Sequence, residues 1–333
     1  MSIPVVAFFN NKGGVGKTSM VYHLSWMLAD NGVRVIAADL DPQSNLTAAF
    51  LDEDRLVDVM LKREHPKTIF GAVKPLKDGT GDVLDAHVEI ISDRLGLILG
   101  DMALSTFEDD LSEVWPKCLE DDAPRAFRIM SAFWRVCQKA GEKHGADVIM
   151  IDLGPNLGAI NRASLIASDF VAIPLGPDLF SLQGMQNLGP AVRAWREGWT
   201  RRLEGNPPDD LELPSGRIDP IGYMVLRHSI RLDRPVKAFE RWIARIPSTY
   251  TKAVLNEAPD NALTIDNDPN CIAKLKDYRS LMPMAQEARK PMFFLKPADG
   301  ALGAHTYAVS DAYKDFKRVA VTIAKNAGLT ELS

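Results

Sequence analysis

Two lysines, Lys12 and Lys17, bracket three glycines in the run Asn10-Asn11-Lys12-Gly13-Gly14-Val15-Gly16-Lys17-Thr18-Ser19. Glycines without a Cβ let successive backbone N–H groups turn inward on an anion, and a helix starting there adds its own free N–H groups and positive dipole end. Lys17 can then reach the β- and γ-phosphates of a nucleotide, and the Thr18 hydroxyl can ligate Mg²⁺. Three carboxylates supply what such a loop lacks. Asp39 and Asp41 stand in Ala38-Asp39-Leu40-Asp41-Pro42-Gln43-Ser44-Asn45-Leu46, and Asp152 closes the apolar run Val148-Ile149-Met150-Ile151. A carboxylate on a buried strand tip can hold a water of a Mg²⁺ shell. Together these residue types suit phosphoryl transfer, in which positioning and charge neutralisation do most of the work.

These groups need strands that end at one edge. Val5 to Phe9 reads as a strand buried on both faces, the helix after it runs from about Thr18 to Asp30, and Asn31-Gly32 stops that helix. Val33 to Ala38 is a second buried strand, so the first forty residues form a βαβ unit. Later strands are expected at Val148 to Ile151, at Phe170 to Ile173 closed by Pro174, and at Ile221 to Leu226. The expected fold is α/β, a doubly wound, mostly parallel sheet with helices on both faces, whose carboxyl ends line the ligand crevice. Residues 51–88 are charged and without clear period; they read as a helix plus an elaborated surface connection. Residues 204–216 and 258–270, rich in proline, glycine and acid, read as loops. No repeat appears. The organisation expected is one domain over 1–333, elaborated near 51–147 and 204–216, with a C-terminal packing helix at 307–327.

Composition sets the outer bounds. The chain has 333 residues, 46% hydrophobic and 25% charged, with net charge −5. It contains no apolar run long enough to span a membrane, and the start MSIPVVAFFNN lacks the basic region and cleavage site of a signal peptide. The three cysteines Cys118, Cys137 and Cys271 are too far apart for a metal pair, and the six histidines are scattered. A reducing, cytoplasmic setting follows as the expectation.

The loop departs from G-x-x-x-x-G-K-[ST]: Asn11 stands where the first glycine belongs, and Lys12 is added. The arrangement K-G-G-V-G-K-T resembles the deviant Walker A box of the ParA/MinD-like P-loop ATPases, nearest to the ParA partition ATPases. Asp39-Leu40-Asp41-Pro42-Gln43-Ser44-Asn45 resembles that family's D-x-D-P-Q-x-N segment. Asp152-Leu153-Gly154-Pro155 matches its D-x-P-P, with Gly154 in place of the first proline. Leu182-Gln183-Gly184-Met185 falls at its L-x-G-L. The resemblance runs in pieces from residue 3 to about 190 and resumes more weakly at 221–231 and 285–291.

That resemblance implies ATP and Mg²⁺ as ligands. It implies contacts to the nucleotide from Lys12, Gly13, Gly14, Val15, Gly16, Lys17, Thr18, Ser19 and Arg227, and a metal shell at Thr18, Asp39 and Asp152. Asp41 would orient the attacking water, and Lys12 would reach across a sandwich homodimer to the partner's phosphates. An adaptor protein would stimulate a slow hydrolysis. Arg227, Arg231, Arg234, Lys237, Arg241 and Arg245 recur every three or four residues, with Pro235 expected to start a helix. In the family this part of the fold helps form a basic surface for duplex DNA; the bland reading is a solvated helix face.

Two functions follow as expectations. One is a ParA-like switch that binds DNA non-specifically and positions a plasmid, chromosome or other cargo, in the cytoplasm or on the nucleoid. The other is a regulatory or assembly ATPase of the same fold acting on a protein partner, in defence, secretion or polysaccharide synthesis. The acidic pI and the 51–147 stretch favour the second. Related classes that carry clusters through cysteines, or that end in tyrosine clusters, fit less well. A loop beginning at residue 10 leaves no room for an N-terminal helix-turn-helix. The final helix is polar at its end and is expected to pack on the domain rather than seek a membrane.

Overall fold

Alternate residues of the first strand, β1 (Val5–Phe8), part to opposite sides. Val5 and Ala7 enter one hydrophobic core, Val6 and Phe8 a second one across the sheet. This is why the strand reads as an unbroken apolar run: both faces are covered. The computed structural model describes residues 2–61, 65–226, 236–260, 262–278, 280–301 and 303–329.

The sheet has eight strands. Besides β1 these are β2 (Val35–Asp39), β3 (Glu89–Ser92), β4 (Leu95–Ile98), β5 (Val148–Asp152), β6 (Phe170–Leu175), β7 (Asp219–Leu226) and β8 (Cys271–Leu275). They lie in the order β3-β4-β2-β5-β1-β6-β7-β8, and only β3 runs antiparallel to its neighbour. The chain leaves β1 towards β2 on one side and later returns through β5 to β6 on the other. The crevice at that reversal lies at the carboxyl ends of β1, β2 and β5. The expected doubly wound, mostly parallel sheet is what the chain adopts.

Helices cover both faces. One core takes in side chains from Ile69–Lys77, Ala132–His144, Ala159–Ile166 and the long helix Leu179–Leu203; the other takes them from Lys17–Asp30, Leu281–Ala288 and Ala304–Asn326. In the last helix Phe316, Ala320 and Ile323 are fully buried, so this part of its apolar stripe packs on the domain. Among the described residues no helix is long and apolar enough to cross a membrane.

Several elements differ from expectation. Strand β6 does not stop before Pro174 but continues to Leu175. Ala172, two residues earlier, faces β1 and accepts from the Phe9 N–H; Pro174 has the same orientation, and its carbonyl takes the Asn10 amide. Strand β1 has ended by then, so the N–H that proline lacks has no ladder partner to lose. Within 51–88 the helix Ile69–Lys77 is not a surface element, since it buries Ile69, Phe70, Ala72, Val73 and Leu76; just after that stretch, β3 and β4 extend the sheet beyond β2. Strand β8 follows the loop at 258–270 and forms the other edge.

Candidate functional site

Strand β1 delivers the glycine-rich loop straight into the crevice. Gly14 and Gly16 take φ of 72° and 84°, left-handed values that a side chain would strain. The helix Lys17–Asp30 then begins with no side-chain cap and no acidic residue in its first turn, which leaves its N-terminal N–H groups for an anion. Lys17 is buried beneath the loop, and its ammonium donates to the carbonyls of Asn10 (3.2 Å) and Lys12 (3.3 Å). Burial lowers its pKa, while the carboxylates of Asp152 and Asp41 oppose that shift.

The three aspartates converge where expected. Asp39 and Asp152 are paired across neighbouring strands at the ends of β2 and β5, and both are completely buried. Asp39 Oδ2 accepts from the Thr47 N–H (2.8 Å) and hydroxyl (2.7 Å), but Oδ1 has no partner; Asp152 Oδ2 is likewise unpartnered. Burial is the main cause that raises Asp39 to about 7; the Thr47 bonds oppose it and Asp41 adds to it. Burial also pushes Asp152 well above the carboxylate range, assisted by Asp39; the Thr18 hydroxyl and the Lys17 ammonium oppose the shift without closing a hydrogen bond to Oδ2. Clustered carboxylates with orphaned oxygens are what a divalent cation and its water shell would satisfy. Among the described residues no three or more His, Cys, Asp or Glu gather to hold an ion alone.

Asp41 stands on the wall of an open cleft of about 620 Å³. Gly13, Gly14, Gly16, Lys17, Thr18 and Ser19 form its floor, the segment Gln43–Ala49 one side, Pro155 another, and Met282, Ala285 and Gln286 a further wall. Val15 is buried under the loop rather than in the cleft. Gly154 lies so near Asp41 that a Cβ there would come within 3.2 Å of Asp41 Oδ1.

Lys12 points the other way. Its ammonium pairs with Asp178 Oδ2 at 2.5 Å, within the same chain, and Asp178 also caps the long helix through the Ser181 N–H. Beside it Phe180 is 65% exposed. Asn10 fixes the base of this arrangement: its side chain accepts from the Lys12 N–H and donates to Pro174. Gly184 makes room for it, since a Cβ there would sit 2.6 Å from Asn10 Oδ1.

Asn10, Asp178, Met282 and Gln286 were not singled out from the sequence. Asp178 carried one signal, an aspartate three residues before Ser181 at a helix start. Met282 carried none, and Gln286 only its place in the weaker resemblance at 285–291. Of the basic series, Arg227, Arg231 and Arg234 lie outside the described residues, as does the Lys237 side chain. Arg241 and Arg245 are exposed and flank the Trp242 ring, each 5.4 Å from its centre.

Residues 3–204 match the family model described as an AAA domain. The chain belongs to this family of ParA/MinD-like P-loop ATPases. The chromosome partitioning protein ParA of Caulobacter vibrioides is 28% identical over 200 residues, 60% of this chain and 66% of that protein. The sporulation initiation inhibitor protein Soj of Bacillus subtilis is 30% identical over 189 residues, 57% of this chain and 64% of Soj. The chain thus spans less than two thirds of the length of these family members. At the level of fold, a McdA–ATP complex from Cyanothece superposes with a TM-score of 0.64 at 17% identity, covering 100% of this chain and 99% of that one.

Proposed function

We propose that this chain is a Mg²⁺-dependent ATPase that works as a ParA-like switch in the cytoplasm. It forms a sandwich homodimer on binding ATP and holds duplex DNA without sequence preference while dimeric. An adaptor protein stimulates its otherwise slow hydrolysis, so that a plasmid, chromosome or other cargo is positioned or segregated on the nucleoid. One observation carries the reading. The loop holds two lysines with different surroundings: Lys17 buried against the loop's own carbonyls, Lys12 at the rim on Asp178. A single bound triphosphate is served by Lys17, so a second ammonium at the rim suits a neighbour's phosphates across a two-fold axis.

The chain's own groups divide the work. The loop amides and the start of helix Lys17–Asp30 would hold the phosphates, and Lys17 would neutralise charge growing on the β–γ bridge. The orphaned oxygens of Asp39 and Asp152, with Thr18, fit a Mg²⁺ shell; the ion would supply Lewis-acidic charge to the phosphate oxygens when bound. Asp41, on the cleft wall, would accept a hydrogen bond from the attacking water and aim it. The apolar surfaces of Met282 and Ala285 would cover the base.

Arg241 and Arg245 are exposed and suit phosphate contacts, and Arg227, Arg231, Arg234 and Lys237 extend that series in sequence. The test is light scattering coupled to size exclusion with ATP or ADP plus Mg²⁺, followed by titration with random duplex DNA at increasing salt. A chain that stays monomeric with ATP rules out the switch. One that dimerises but ignores DNA at every salt concentration moves the reading to an ATPase that acts on a protein partner, a reading favoured by the net charge of −5.

A further inference from the structure

The loop that follows Asp152 is held from a distance. It runs from Leu153 to Gly158 and enters the helix Ala159–Ile166, whose own N-cap residue, Gly158, offers no side chain to the free N–H groups. Glu108, 51 positions earlier in the chain, takes that role. Its Oε1 accepts from the Ala159 N–H and its Oε2 from the Ile160 N–H at 2.8 Å. A carboxylate using both oxygens on the first amides of a helix makes charge-assisted bonds and also meets the positive dipole end. Gly158 is fitted to it, since a Cβ there would lie 2.5 Å from Glu108 Oε1.

The hold passes on to the site. Asn161, in the first turn of the same helix and 1% exposed, donates back to the carbonyls of Gly154 (3.0 Å) and Asn156 (2.7 Å). Gly154 lies against Asp41, and Pro155 lines the cleft. A second tie docks the two helices: Arg162 donates to the Leu111 carbonyl (3.1 Å) and stacks on Trp115, both on the helix Glu108–Lys117 that Glu108 begins. Glu108 itself lines no part of the cleft.

We propose that Glu108 is a positioning residue for ATP hydrolysis: by capping helix Ala159–Ile166 it fixes the Leu153–Gly158 loop against Asp41 without touching the nucleotide. The inference rests on the ATPase reading above and adds to it a residue from the 51–147 stretch.

The experiment compares wild type with Glu108→Ala and the gentler Glu108→Gln, which keeps one acceptor oxygen. Amide hydrogen exchange of the nucleotide-free protein is followed in a peptide spanning 153–161, and steady-state kinetics separate kcat from KM. In Glu108→Ala, exchange in that peptide should quicken about tenfold, the loss of a charge-assisted cap. kcat should fall about tenfold while KM and nucleotide affinity stay within about threefold, because positioning rather than binding is lost. Glu108→Gln should fall between the two, and it decides the matter if Glu108→Ala does not fold. Unchanged exchange, or faster exchange with wild-type kcat, overturns the proposal while the ATPase reading stands. A wild-type chain that neither binds nor hydrolyses ATP defeats that reading and this proposal with it.

Discussion

Two loops meet over the cleft, and they are held differently. The phosphate loop is braced largely from within: Lys17 bonds the carbonyls of Asn10 and Lys12, and Asn10 bonds the Lys12 N–H, all within seven positions, while Pro174 and Asp178 tie the Asn10 and Lys12 side chains from outside. The loop after Asp152 has local bonds too, from Asn156 and Asn161, but the helix that carries Asn161 is anchored by a residue far along the chain. That helix is capped by Glu108, the loop's carbonyls are taken by Asn161, and its Gly154 lies against Asp41 from the loop after β2. The backbone of the first loop should therefore depend less on distant parts of the chain. The second should respond more to changes far along the chain.

The largest effect expected is on the first loop. Lys17→Ala removes the phosphate loop's buried ammonium and should weaken ATP binding by roughly a hundredfold or more, the loss of a charge-assisted contact in a desolvated site. Calorimetric titration reads this directly, and near-normal affinity would break the distinction between the loops at its root. Asp41→Ala acts on the other side. Hydrolysis should drop about a hundredfold while ATP affinity and ATP-induced dimerisation change little, since water positioning is lost but no phosphate contact.

Lys12→Ala should lower dimerisation and turnover, with monomer affinity for ATP kept within about threefold. If Lys12 serves a partner's phosphates it must first leave Asp178, so Asp178→Asn should ease dimerisation. Mixing Lys12→Ala with Asp41→Ala chains sharpens the point. One site of the heterodimer then keeps Asp41 and receives an intact Lys12, and part of the activity should return. If heterodimers form and stay dead, Lys12 acts within its own chain.

A smaller effect concerns pH. Asp39 is raised from an ordinary 3.8 to about 7. The nucleotide-free fold therefore binds the proton more tightly than the unfolded chain does. The stability this gives is complete below about pH 4 and is lost as pH rises through about 7. Thermal melts across that window should show Tm falling with pH, with a flatter profile for Asp39→Asn. Mg²⁺ with nucleotide should flatten it too, by favouring the ionised carboxylates. The opposite slope in the wild type would remove the case for an uncompensated carboxylate cluster. Smallest of all, Gly154→Ala puts a Cβ 3.2 Å from Asp41 Oδ1. Asp41 can give by a few tenths of an ångström, so kcat should change by no more than about threefold, with Tm unaltered. A tenfold loss would mean that the second loop is as tightly built as the first.

The two loops were also unequally legible. Residues 10–19 could be read because each function there depends on a residue type at fixed local spacing: glycine where φ is positive, lysine one position after Gly16, a hydroxyl after that. Asp39, Asp41 and Asp152 were legible as strand-end carboxylates, and the central strands as short apolar runs. Residues 51–147 were not. Helix Ile69–Lys77 carries Gly71 and Pro75, and β3 is half-exposed, so neither presents a clean period. Pro174 misled in the same way, because a proline's effect on a strand depends on whether a neighbour is there to bond.

What the sequence determined alone was the local chemistry: a glycine turn that exposes amides, a helix that starts without a cap, carboxylates that end buried strands. These depend on backbone torsions and periodicity within ten or so residues. Only the tertiary structure decided which distant groups complete them. It set Asp178 on Lys12, Glu108 on Ala159 and Ile160, Gly154 under Asp41 and Met282 over the cleft. Such contacts join residues tens to hundreds of positions apart. They depend on how eight strands are ordered and how their helices cross, and no residue's type or spacing encodes that order by itself.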